Sequence, residues 1–131
     1  MQSVAQQQPS INVGSIVAST SFLAQAAAIA ASTVFTVGAA DKLYRIDLAI
    51  NAAAAGVQSV SPNVLFTDAF GNAQTVALNG TQSGNGGATA TFTGQSLIIR
   101  AKAGSNIQVS TTLGGSGGAP NYNLYVNVTE I

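Results

Sequence analysis

The segment Asp41–Ile50, DKLYRIDLAI, alternates with a period of two: Tyr44, Ile46, Leu48 and Ile50 fall on one side, and Leu43, Arg45, Asp47 and Ala49 on the other. Such a period belongs to a half-buried β-strand, since the apolar positions of a helix recur every three or four residues. The first side enters a core. The second sets Arg45 and Asp47 two residues apart on one face, close enough to pair with each other or with an adjacent strand. With Asp41 and Lys42 included, the segment holds four of the chain's charged residues, which are four basic and four acidic in all.

Similar short patterns recur along the chain at spacings of about ten residues. Ile11–Leu23 alternates loosely, placing Ile16, Ala18, Thr20 and Phe22 together, and Ser32–Val37 has strand character. Asn63–Thr67 and Ala73–Leu78 flank Asp68-Ala69-Phe70-Gly71-Asn72. There an aspartate that can bond its own backbone and a glycine free to take positive φ predict a hairpin turn, with Asp68 as turn-former. Ala88–Thr93 and Ser96–Lys102 are predicted strands, the latter with Ile98, Arg100 and Lys102 on one side and Leu97, Ile99 and Ala101 on the other. Ala103-Gly104-Ser105 turns it into Asn106–Leu113. Asn121–Thr129 closes the chain with Tyr122, Leu124, Val126 and Val128 on one face, regular enough for a central position in its sheet.

Two stretches, Asn79–Gly87 and Gly114–Gly118, are glycine-rich loops, and Ala24–Ala31 is ambiguous between one helical turn and extended chain. About eight short strands without a convincing helix predict an all-β sandwich, most simply a jelly roll, over residues 13–131, with an N-terminal arm at residues 1–12. An immunoglobulin-like sandwich, here without its disulfide or tryptophan, is the alternative.

Composition excludes most chemistry. The chain has no cysteine and no histidine, so disulfides, thiolate metal sites and the usual hydrolase triad are unavailable. No pair of its four acids, Asp41, Asp47, Asp68 and Glu130, is spaced to suggest a glycosidase, and no glycine-rich loop has the context of a phosphate cradle. No catalytic residue, metal or cofactor is expected. Charged residues make up 6% of the chain, with net charge zero, against about 25% in ordinary domains. Four basic residues are too few for a nucleic-acid surface. No apolar run is long enough for a membrane span, and no basic start precedes Phe22–Ala31, so Met1 is expected to begin a chain made in the cytoplasm. So little charge leaves a free monomer poorly protected against association, which predicts a surface buried in an assembly.

Beside this reading, the words AIAAST at Ala28–Thr33, LYR at Leu43–Arg45, T-D-x-x-G at Thr67–Gly71, LIIRAKAGSNI at Leu97–Ile107 and YNLYV at Tyr122–Val126 resemble short virion proteins of tailed bacteriophages. The resemblance covers roughly residues 20–131. It implies a small jelly-roll or tumour-necrosis-factor-like domain forming homotrimers that either decorate and cement capsids or head tail fibres.

The leading expectation is a capsid decoration protein on the virion surface, with itself and the major capsid protein as partners and neither nucleic acid nor membrane. A receptor-binding tail-fibre or spike head is the alternative, and a bacterial adhesin sandwich a third reading. Arg45, Asp47, Arg100 and Tyr125 are the candidate subunit interface. The bland reading of their face is a salt-bridged surface in solvent. Gln2, Gln6, Gln7, Gln8 and Pro9, in a polar stretch without a core pattern, are the candidate capsid-contacting arm.

Overall fold

The computed structural model describes residues 14–52, 58–83, 91–115 and 120–131. The alternating segment is the middle of β3 (Lys42–Ala52), where Tyr44, Ile46, Leu48, Ile50 and Ala52 are all 3% exposed or less. Strand β3 lies between β9 (Tyr122–Glu130) and β7 (Thr91–Ala101), and β1 (Ser15–Gln25) pairs with the far side of β9. The second sheet orders β2 (Ser32–Thr36), β8 (Asn106–Gly115), β4 (Gln58–Thr67) and β5 (Ala73–Ala77), with the three-residue β6 (Thr81–Ser83) continuing along β4 beyond β5. Every pairing is antiparallel, and there is no helix among the described residues.

Strand order fixes the architecture. Sheets β1-β9-β3-β7 and β2-β8-β4-β5 are reached by a chain that crosses between them at each of the first three connections and later returns, laying β8 between β2 and β4 and β9 between β1 and β3. Such double winding is the jelly roll. In an immunoglobulin-like sandwich β1 and β2 would share a sheet; here they do not.

The core is the space between the two sheets. Tyr44, Ile46, Leu48, Ile50, Ile99, Leu124, Val126 and Val128 fill it from one side, and Val34, Val60, Val64, Ile107 and Val109 from the other. Phe35 and Tyr44 stack tilted across it with ring centroids 5.5 Å apart. Each strand contributes every second residue, which is why the alternation in β3 and β9 was so legible.

One open reading resolves and three expectations need correction. First, of the two readings of Ala24–Ala31 the extended one holds: Ala24 sits at φ 51 and the segment crosses between sheets, its Ile29 N–H and C=O both bonded to Thr111, at 2.7 and 3.0 Å. Thr111 therefore holds extended what alanine propensity alone would leave open. Second, a bulge between Ile16 and Ala18 breaks the alternation of β1. Ala18 and Phe22 keep their inward side, while Ile16 turns out and is 66% exposed.

Third, the loop Asn79–Gly87 contains β6, which pairs Thr81–Ser83 with Gln58–Val60. Strand β4 accordingly starts five residues before the predicted Asn63, in spite of Pro62. The Pro62 carbonyl accepts the Leu78 N–H, so the edge lacking an N–H faces the break between β5 and β6, where no ladder bond is lost. Fourth, the predicted strands Ala88–Thr93 and Ser96–Lys102 are one strand from Thr91 to Ala101, because β3 offers eleven consecutive partners across Gly94.

The Asp68 turn follows the sequence. One carboxylate oxygen accepts the Phe70 and Asn72 N–H groups at 3.0 and 2.9 Å, and the other accepts the Gln74 amide at 2.9 Å. Gly71, at φ 91, supplies the left-handed residue. These bonds, first that from Asn72, then those from Gln74 and Phe70, hold the Asp68 carboxyl below its ordinary 3.8. A depressed carboxyl contributes to turn stability above its ordinary value, and the contribution is lost as pH falls through the folded value. Asp68→Ala is expected to leave β4 and β5 paired but to lower the protection of the Phe70 and Asn72 amides relative to their intrinsic exchange rates, a loss that acidification through the folded Asp68 value reproduces in the wild type.

Candidate functional site

The antiparallel register writes the outer face of the four-stranded sheet as rows running across strands. Ile16, Thr129, Arg45 and Ile98 form one row, Ser19, Asn127, Asp47 and Ser96 the next, and Ser21, Tyr125, Ala49 and Gly94 the third. Leu43 opposite Arg100 begins the face at one end. Arg45, Asp47, Arg100 and Tyr125, named from sequence, thus share one surface.

Within it, Arg45 Nε donates to Asp47 Oδ2 at 3.1 Å, and the other Asp47 oxygen accepts the Ser96 hydroxyl. Ser19 donates to Asn127 Oδ1 at 2.7 Å. Both charged side chains are still partly open, Arg45 at 42% and Asp47 at 34%. Arg100 makes no ion pair among the described residues.

Beside this polar strip the face exposes large apolar side chains. Ile16, Leu23, Leu43, Ile98 and Tyr125, which are 66, 58, 42, 62 and 39% exposed, all belong to strands of this sheet. Ile16 and Leu23 were not foreseen as part of the site. Leu23 was legible from its alternation opposite Phe22, whereas Ile16 was hidden by the bulge.

The opposite outer face differs. Asn63 Nδ2 donates to Ser110 and Thr112 hydroxyls at 3.2 and 3.0 Å, and Gln108 reaches Thr33 at 3.4 Å. Several of its polar groups bond one another, and its strands carry no charged residue. A cleft of about 340 Å³ against β4, β5 and β8 is lined by Gln74, Thr75, Asn106 and Gln108 among others, with no titratable side chain. Among the described residues no group of three or more histidine, cysteine, aspartate or glutamate side chains could hold a metal.

One atom on the candidate face is out of balance. Thr129 is 3% exposed and its hydroxyl oxygen has no hydrogen-bond partner among the described residues. A buried hydroxyl without a partner carries its desolvation penalty uncompensated. Thr129→Val keeps the shape and removes the oxygen, and is expected to raise stability by about 1 kcal/mol in chemical denaturation.

Fold and face together define a class: a jelly-roll sandwich with one uncharged outer face and another that exposes large apolar side chains beside an ion pair. No family model matches the sequence, and no curated protein matches it. Among solved structures, a chain in the structure of the infectious bursal disease virus Gx strain is similar, at 15% identity and a TM-score of 0.42. The match covers 86% of this chain and 30% of that one, so the chain spans less than a third of its neighbour's length. The jelly-roll assignment rests on the strand order alone.

Proposed function

We propose that this chain is a bacteriophage virion structural protein, a capsid decoration protein that assembles as a homotrimer through the outer face of its four-stranded sheet and binds the assembled shell. The observation that carries the reading is the exposure of Ile16, Leu43, Ile98 and Tyr125 around Arg45 and Asp47, on a chain with net charge zero. Large exposed apolar side chains on all four strands of one sheet, on a weakly charged domain, suit a surface that a partner covers. A second copy suits it, because a stable interface needs about 800 Å² from each partner and the face extends across all four strands. The resemblance in sequence to tailed-phage virion proteins supplies the shell as further partner.

The mechanism is binding without chemistry. A trimer seated where capsid subunits meet favours the assembled shell over the dissociated one, by an amount set by its concentration relative to its dissociation constant. Two measurements test this. Sedimentation at micromolar concentration is expected to give a trimer, and co-sedimentation with shells assembled without the chain is expected to show saturable binding that raises the temperature of shell rupture. A monomer that ignores shells rejects the proposal. The arm residues Gln2, Gln6, Gln7, Gln8 and Pro9 lie outside the described residues. Deleting residues 2–9 is expected to leave the melting temperature unchanged and to weaken shell attachment; unfolding on deletion assigns the arm to the sandwich instead.

A further inference from the structure

The charges are sorted by position along the sandwich. Asp41, Lys42, Asp68, Arg100, Lys102 and Glu130 gather at one end, joined there by the Lys42–Glu130 pair at 3.2 Å, the Asp41 bond to the Ala103 N–H at 2.8 Å and the bridge between Asp68 and Ala101. At the other end the register brings together Ala52, Thr91, Gly115, Gln58 and Tyr122, and no residue from 26 to 31 is charged. The two ends therefore offer different chemistry to any surface they meet.

At the charged end stands Phe70, 91% exposed. The other large exposed apolar residues lie on strands of the four-stranded sheet or, as Ile131, at the C-terminus. Phe70 alone among them is on a turn. That turn is held by all three Asp68 carboxylate bonds, by Gly71 N–H donating to the Asp68 carbonyl at 2.9 Å, and by Lys102 N–H donating to the Thr67 carbonyl at 2.9 Å. None of these bonds uses the Phe70 side chain, so a polar residue would fit the position equally well. Lys102, exposed and without an ion pair among the described residues, lies beside Gly71, its Nζ 3.3 Å from where a Cβ there would be. An aromatic ring on a pre-ordered turn with a cation at its side is the form of an interface anchor, which loses little entropy on docking.

We infer that the charged end is the shell-facing foot of the molecule and that Phe70, with Lys102, anchors it in an apolar depression of a shell subunit rimmed by carboxylate or carbonyl oxygens. The inference rests on the decoration reading. In a trimer built on the four-stranded sheet with its axis along the strands, the same end of every copy faces the same way, so three Phe70 rings meet one surface. Three modest contacts then act together as one strong one. Gly14, the first described residue, packs against Thr129 and Glu130 at this end.

Co-sedimentation with shells assembled without the chain tests the anchor using residues 1–131. Phe70→Ser is expected to keep the wild-type melting temperature and trimer mass while losing at least about tenfold in shell affinity. Lys102→Glu is expected to lose affinity as well. Ala28→Asp, a new charge at the opposite end, is expected to bind as wild type. Wild-type binding that persists in Phe70→Ser, or is lost in Ala28→Asp, overturns the foot assignment and leaves the decoration reading standing. A Phe70→Ser trimer that dissociates makes the ring a subunit contact and equally overturns it. Failure of the wild type to bind shells rejects the decoration reading, and the anchor with it.

Discussion

Replacing Tyr122 by alanine is expected to cost about 3–5 kcal/mol of folding stability, the range for a large aromatic side chain lost from a core. Tyr122→Phe is expected to cost only about 1–2 kcal/mol, because it removes a hydroxyl and leaves the ring. The ring is 1% exposed and closes the charge-free end of the core. Its hydroxyl donates to the Ala27 carbonyl at 2.7 Å, which leaves the Thr111 hydroxyl, 2.7 Å away, as the donor to the Tyr122 oxygen. Thr111 in turn accepts the Ile29 N–H. One relay of donors thus ties the crossing segment to β8 and β9. Denaturant melts of the two variants separate the packing contribution from that of the relay, and equal losses show that the relay carries all of it.

The same residue shapes the alkaline limit. Burial raises the Tyr122 pKa above its ordinary 10.0 against the opposing Thr111 bond, and Tyr44 is raised likewise by burial, with the Glu130 charge adding to it. A raised group contributes stability fully below its ordinary value, and the contribution is lost as pH rises through the folded value. Stability is therefore expected to fall above about pH 10, and Tyr122→Phe to flatten that fall without removing the part due to Tyr44.

How much of this was written in the sequence depends on the side of the sheet. Strands β3 and β9 were legible because both are central and each presents one face to the core, so every second residue had to be apolar. The Asp68 turn was legible because its bonds are local. Strand β6 was not, since three residues have no period of their own and pair only because β4 runs past the end of β5. Ala24–Ala31 was open because its conformation is set by Thr111, some eighty residues away in sequence.

The candidate face was half legible. Arg45, Asp47, Arg100 and Tyr125 were assigned to it by parity within their own strands, which the pairing respects. Ile16 was lost because one inserted residue at a bulge reverses parity for everything before it. The charged end carrying Phe70 was not legible, because the clustering of charge there is a property of the register and not of any segment.

Arg45→Ala against Lys42→Ala decides whether the face is an interface. In the single chain the two cations are nearly equivalent: Arg45 pairs with Asp47 at 3.1 Å with the side chains 42 and 34% exposed, and Lys42 with Glu130 at 3.2 Å with 45 and 37% exposed. As solvent-exposed pairs each is worth at most about 1 kcal/mol, so the two variants are expected to unfold alike as monomers. Association separates them. Arg45 sits in the row between Ile98 and Thr129 with Ile16 beyond, in the middle of the apolar surface, whereas Lys42 opens β3 at the charged end. Once a second copy covers the face, Arg45→Ala leaves Asp47 desolvated with only the Ser96 hydroxyl bonded to it in the strip, at an expected cost of about 3–5 kcal/mol to the assembly. Lys42→Ala is expected to shift trimer dissociation by no more than about 1 kcal/mol. Dissociation constants for both variants, measured by dilution under identical salt, give the comparison, and equal small effects return the face to solvent and place the subunit contact elsewhere.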